Sequence, residues 1–126
     1  MVTRDHMVSM CDSYLAAVET RDADEVLALF SDHPTVEDPV GSEPRVGREA
    51  VRAFYGNITG SVRLQRLGPA CVVGNRAAFL FRLDIERDGT RTTFSSTDIM
   101  TFDDDGRIAH MMAFPDHDAD PDASVP

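Results

Sequence analysis

Residues 79–102 read FLFRLDIERDGTRTTFSSTDIMTF, and the alternation within them decides the fold class. Before Asp88-Gly89, Phe81, Leu83 and Ile85 fall on one face, with Arg82 and Asp84 on the other. After it, Phe94, Ser96, Asp98, Met100 and Phe102 share a face opposite Ser95, Thr97, Ile99 and Thr101. Period two marks strands, and Asp-Gly between two such runs marks a hairpin. Further turn pairs at Gly68-Pro69, Gly74-Asn75 and Asp105-Gly106 divide everything beyond Gly60 into the strands of an antiparallel meander.

Working back towards the N-terminus, the period becomes helical. From Thr3, a candidate cap, the apolar positions Met7, Met10, Cys11, Tyr14, Leu15 and Val18 recur at three- and four-residue intervals. Asp22, with Glu25 three residues on as a capping-box partner, opens a second helix carrying Val26, Leu27, Leu29 and Phe30 and closed by Asp32, His33 and Pro34. Thr35 to Asp38 extend as a strand, because Pro39 disfavours the helical region for the residue before it. The stretch from Pro39 to Pro44 is a loop, and residues 48–55 form a third short helix with Val51, Phe54 and Tyr55 inward. Helices followed by strands give an α+β fold, three helices covering the concave face of a curled, mostly antiparallel sheet with room for an apolar pocket between the layers.

At 126 residues, 42 % hydrophobic and 27 % charged, the chain has the size and composition of one globular domain. The expected division is a domain over residues 1–115 and an acidic, disordered tail over 116–126, where proline and aspartate dominate. Twenty-two acidic against 12 basic side chains leave a formal charge of −10, which repels phosphate backbones and anionic lipid and argues against nucleic acid or membrane as a partner. The N-terminus lacks the basic-then-apolar order of a signal peptide, so cytoplasmic residence is expected. Cys11 and Cys71 sit among apolar neighbours and read as reduced core residues. His117 with its neighbouring aspartates reads as solvated charge and Asp103 to Gly106 as a turn, so no metal site is expected.

Asp98 is the anomaly of the sheet. Ionised, it would be unfavourable on the more apolar face of its strand, and no arginine lies two residues away on either side. It must find a cation from a neighbouring strand, such as Arg82, accept a structural hydrogen bond, or keep its proton. In the last case it is a donor held in a dry cavity, suited to stabilising a developing oxyanion.

Residues 35–44 read TVEDPVGSEP, and with this loop the chain closely resembles the bacterial ketosteroid isomerases, members of the cone-shaped superfamily that includes nuclear transport factor and the polyketide cyclases. The resemblance also covers the helix with Tyr14 and Val18, the segment from Leu27 to Phe30, Ala53-Phe54-Tyr55, the hairpin over residues 81–89 and Asp98-Ile99-Met100. It implies Asp38 as the general base that moves a proton from C4 to C6 of a Δ5-3-ketosteroid. It implies Tyr14 and Asp98 as donors to the 3-oxygen and Tyr55 as the partner orienting Tyr14. The steroid wall it implies comprises Val18, Phe54, Phe81, Leu83, Ile85, Met100, Met111 and Ala113. A carboxylate can carry a proton between two carbons on one ligand face without help, so the resemblance implies no cofactor and no metal, a small apolar steroid as substrate, and a homodimer.

Three residues depart from the family pattern. Phe30 stands where some members have a third tyrosine, Ser96 replaces a bulkier apolar residue beside the oxyanion strand, and Pro115 stands where an aromatic often meets the ligand. Two other readings stay open. One is another enzyme of this fold, a polyketide cyclase or an epoxide hydrolase, the latter needing two carboxylates around an arginine; Arg82 and Asp84 share a face, but it is opposite the expected pocket. The other is a non-catalytic ligand-binding or dimerisation module, which has no need for a pocket acid beside a loop acid.

Overall fold

The computed structural model describes residues 2–119. Helix α1 (Arg4–Thr20) starts where Thr3 accepts a hydrogen bond from the His6 amide at 3.1 Å, and it buries Met7, Cys11, Tyr14, Leu15, Ala17 and Val18. Helix α2 (Ala23–Leu27) is capped by Asp22, whose side chain accepts from the Asp24 amide and not through a reciprocal bond with Glu25. Helix α3 (Arg48–Gly56) buries Val51 and Tyr55.

The strands are β1 (Phe30–Glu37), β2 (Arg45–Val46), β3 (Ser61–Arg66), β4 (Cys71–Val73), β5 (Arg76–Arg87), β6 (Thr90–Phe102) and β7 (Ile108–Asp116). They form one sheet in the order β2-β1-β7-β6-β5-β3, with β4 pairing β5. Strands β5, β6 and β7 form the expected meander, Asp98 lying between Phe79 on β5 and Ala113 on β7. Gly60, at φ +80°, leads into β3, and a side chain there would collide with the Glu86 carbonyl. The helices pack on one face of the sheet, and the core between the layers includes Met7, Phe30, Val36, Phe79, Met100, Phe102, Ile108 and Met111, all at most 2 % exposed.

Three local expectations are corrected. The second helix ends at Leu27, and Phe30 begins a strand already paired with Ile108, whose amide donates to the Leu29 carbonyl at 2.9 Å. Arg48 reinforces the strand by donating to the carbonyls of both Phe30 and Ser31. Strand β1 runs parallel to β7, with a register shift between Phe30 and Thr35, while the other pairings are antiparallel, in keeping with the expected mostly antiparallel sheet. Cys71 is exposed, whereas Cys11 is buried with its thiol pushed up to about 12 by burial and by the neighbouring Asp12. Finally, β7 extends to Asp116, so ordered strand passes the expected boundary at 115; the expected disordered tail lies outside the described residues from position 120 on. No helix among the described residues is long and apolar enough to cross a membrane.

Ile108 is fully buried where β7 meets β1, whereas Val73 is 81 % exposed. Ile108→Ala should therefore lower unfolding free energy by about 2–5 kcal/mol, and Val73→Ala should change it by less than about 0.5 kcal/mol. Urea denaturation of the two variants checks this, and equal shifts would contradict the placement of the core.

Candidate active site

A cavity of about 350 Å³ opens between the helices and the sheet, and four polar side chains from four different elements meet on its walls. Tyr14 comes from α1, Tyr55 from α3, Asp98 from β6, and Asp38 from the residue just past β1. Each is positioned by simple periodicity. Tyr14 lies on the buried stripe of α1 one turn after Cys11 and one before Val18, while Asp98 follows Phe94 and Ser96 on the buried face of β6. Asp38 emerges where β1 runs into the Asp38–Pro39 peptide, which is cis, and the turn beyond it is tied back by the Val40 amide donating to the Ala113 carbonyl at 2.8 Å.

The hydroxyls of Tyr14 and Tyr55 share a hydrogen bond of 2.7 Å. Phe30 packs against both rings, with centroids 6.4 and 6.0 Å away, and adds no polar atom. Either hydroxyl can donate; with Tyr55 donating, the Tyr14 proton is left for the cavity. Both phenols are held well above their usual range, by burial first and then by neighbouring groups that include the Asp98 and Asp38 carboxyls, so they stay protonated donors.

Asp98 is 2 % exposed. Its one hydrogen-bond partner among the described residues is Ser96, whose hydroxyl lies 3.2 Å from Oδ1. Burial, and next the charge of Asp38, drive its carboxyl well above the carboxylate range, against a smaller opposite pull from Ser96. Arg82, the cation that could have neutralised it, is instead 3.3 Å from Asp84, which also accepts from Thr93. Asp38 is raised more moderately by burial, and Arg45 pulls the other way. The Arg45 guanidinium donates to the Asp38 backbone carbonyl at 2.7 Å and lies over the Phe54 ring at 4.5 Å. Burial thus opposes ionisation of both carboxyl groups in the cavity, far more strongly for Asp98 than for Asp38.

Of the expected apolar wall, Val18, Phe54, Phe81, Leu83, Ile85 and Ala113 line the cavity. Met100 and Met111 do not; both are fully buried in the core and paired with one another across β6 and β7, behind the cavity wall. Ser96 and Pro115, noted only as departures, also line it. Sequence reasoning passed over Ile58, Val62 and Leu64, and also Phe94, Arg87 and His117 towards the far end. Period two along β3 puts Val62 and Leu64 on one face, a signal that was there to be read; His117 against the Phe94 ring, centroids 4.1 Å apart, had none.

Residues 12–111 match the SnoaL-like domain. The chain belongs to the SnoaL-like family. Among its SnoaL-like relatives is a steroid Δ-isomerase from Nocardioides simplex, 37 % identical over 101 residues, which are 80 % of this chain and 82 % of that protein. A solved structure of the same fold is that of SalBIII, described as an epoxide hydrolase/cyclase-like enzyme with a role in pyran ring formation in the polyether salinomycin. It superposes with a TM-score of 0.83 at 25 % identity, covering 92 % of this chain and 95 % of that one. The expected cone-shaped α+β domain of the nuclear-transport-factor-like superfamily is therefore present.

Because the folded state holds the Asp98 proton more tightly than the unfolded chain does, this residue contributes a stability that is full below the ordinary carboxylate range and declines as pH rises above about 4 towards its own raised value. Asp98→Asn removes that slope. Its melting temperature relative to wild type should rise between pH 4.5 and pH 8, and a difference independent of pH would show that the native carboxyl is not protonated.

Proposed function

We propose that the protein is a steroid Δ-isomerase that converts Δ5-3-ketosteroids to their Δ4-conjugated isomers. The reading is supported most directly by one arrangement: two buried groups that keep their protons, Tyr14 and Asp98, open into the same apolar cavity as the half-buried carboxyl of Asp38. In the proposed reaction Asp38 takes a proton from C4, and the C4–H pair moves into a dienolate whose negative 3-oxygen is held by hydrogen bonds from Tyr14 and Asp98. Asp38 then returns the proton to C6, leaving the double bond between C4 and C5. No other reactant enters, so the reaction needs no cofactor or metal. Tyr55 orients the Tyr14 hydroxyl through their shared hydrogen bond. The walls built by Val18, Phe54, Phe81, Leu83, Ile85 and Ala113 suit a flat hydrocarbon skeleton and exclude the water that would weaken the oxyanion contacts.

A second reading is favoured by the likeness to SalBIII: acid–base closure of an oxygen ring, with the same two carboxyl groups as proton donor and acceptor. The ultraviolet band of the conjugated enone separates the two. Its growth when the protein meets a Δ5-3-ketosteroid, faster than in buffer, supports the isomerase, and no acceleration removes it.

Cytoplasmic residence and a homodimer remain part of the proposal. The side of the sheet away from the helices carries a row across β5, β6 and β7 formed by Leu80, Thr97 and Phe114, in which Leu80 is 42 % and Phe114 40 % exposed. Such a row is suited to a twin copy, and sedimentation as a monomer at working concentration would count against it.

Asp38→Asn should nearly abolish turnover with little loss of steroid affinity, and Tyr14→Phe should slow it by roughly 10²–10³-fold. Activity should fall as pH drops through the raised Asp38 value, since the protonated acid is no base. Arg45→Gln removes the charge that pulls Asp38 down, so this acidic limb should move to higher pH. An undiminished rate in Asp38→Asn, measured by enone absorbance, would exclude the base assignment.

A further inference from the structure

Asp98 has two oxygens with different surroundings. Oδ1 lies 3.2 Å from the Ser96 hydroxyl, while Oδ2 makes no hydrogen bond among the described residues. Yet no buried side-chain oxygen or nitrogen among the described residues is left without a partner, so Oδ2 is not shut in; the surface that Asp98 presents is the cavity wall. Ser96 is itself 3 % exposed and lines the same cavity, two residues before Asp98 on the buried face of β6. Its neighbours across the ladder are Phe81 and Pro115, whose side chains offer it no hydrogen bond.

A protonated carboxyl beside a hydroxyl has two arrangements. In one the acid proton is on Oδ1 and points at the Ser96 oxygen, so that the cavity faces a bare acceptor, the wrong polarity for an oxyanion. In the other Ser96 donates to Oδ1, and the proton sits on Oδ2, aimed at the ligand. A hydrogen bond received at the carbonyl oxygen also draws electron density from the O–H group and makes it the better donor.

We propose that Ser96 is a positioning residue: by donating to Oδ1 it fixes the Asp98 proton on Oδ2 and turns this acid's donor towards the ligand oxygen. The inference rests on the isomerase reading only for its effect on rate; the hydrogen-bond direction stands on the geometry of the cavity wall. It also gives meaning to a hydroxyl at a position where an apolar side chain would fill the wall more cheaply.

The test compares Ser96→Ala and Ser96→Thr with wild type. Alanine removes only the hydroxyl oxygen and threonine keeps it, so the second variant separates loss of the hydrogen bond from disturbance of the strand. If Ser96 donates, Ser96→Ala should weaken binding of estradiol, whose phenol stands in for the dienolate oxygen, by about 3–10-fold, as loss of one neutral hydrogen bond does. The turnover number should fall by a similar factor while KM for the ketosteroid changes less than about twofold, and Ser96→Thr should recover both. The Asp98 carboxyl, followed by carbon-13 resonance in the ligand-free protein, should titrate at higher pH in Ser96→Ala, because the donor that favours its ionised form is gone. Tighter estradiol binding in Ser96→Ala would overturn the proposal, since it would mean that Ser96 had been drawing the proton away from the ligand. Unchanged affinity and an unchanged titration would overturn it too. A wild-type protein inactive on Δ5-3-ketosteroids would end the isomerase reading, and the carbon-13 and estradiol arms would still decide the role of Ser96.

Discussion

The site depends on a carboxyl group buried without a cation. On the inward face of β6, Asp98 sits in a row with Phe94, Met100 and Phe102 and is 2 % exposed. Desolvation then works on the acid in a single direction: it favours the neutral form, in which a residue that only accepts at the surface can donate in the interior. The charge of Asp38 adds to the effect. The two acids differ in depth: one stands at the end of a strand beside Arg45, the other well inside its strand.

The tyrosines follow the same logic on the helical layer. Tyr14 and Tyr55 belong to helices that pack on the sheet from separate parts of the chain, and their 2.7 Å contact is what brings a second donor to the cavity with a defined direction. Phe30 fills the space beside both rings with hydrocarbon, so this hydrogen-bond pair ends at two members. A short relay has fewer alternative proton arrangements, which favours a single orientation of the Tyr14 hydroxyl.

Much of this was legible in the residues, and the misses have physical causes. The hairpin of β5 and β6 was readable because alternation is local and Asp88-Gly89 marks the turn; Asp98 stood out because polarity breaks that alternation. The start of β1 was misread because Leu29 and Phe30 continue a helical stripe, and only pairing with the distant Ile108 makes Phe30 a strand residue. The same holds for the parallel pairing of β1 with β7, a contact between segments some seventy residues apart that no local pattern encodes. Met100 and Met111 lie on faces that the alternation correctly marks as inward, but inward includes both core and cavity, and sequence spacing does not separate the two. Tyr14 and Asp98 as proposed donors and Asp38 as proposed base were placed together by family resemblance, and Ser96 went unread as a partner because its significance lies in which carboxyl oxygen it meets.

That β1–β7 pairing has a consequence for how the protein can change over evolutionary time. Val36 pairs with Met111 and Glu37 with Met112, so one residue further on Asp38 comes level with Ala113, the residue paired with Asp98. The two acids therefore stand two strand spacings apart, about 10 Å between backbones, on a ruler made of main-chain hydrogen bonds. Exchanges among Val62, Leu64, Leu83 and Ile85 can reshape what the cavity admits while the separation of its acids stays constant, so one lineage of such folds can wander through many ligands without having to rebuild its proton chemistry.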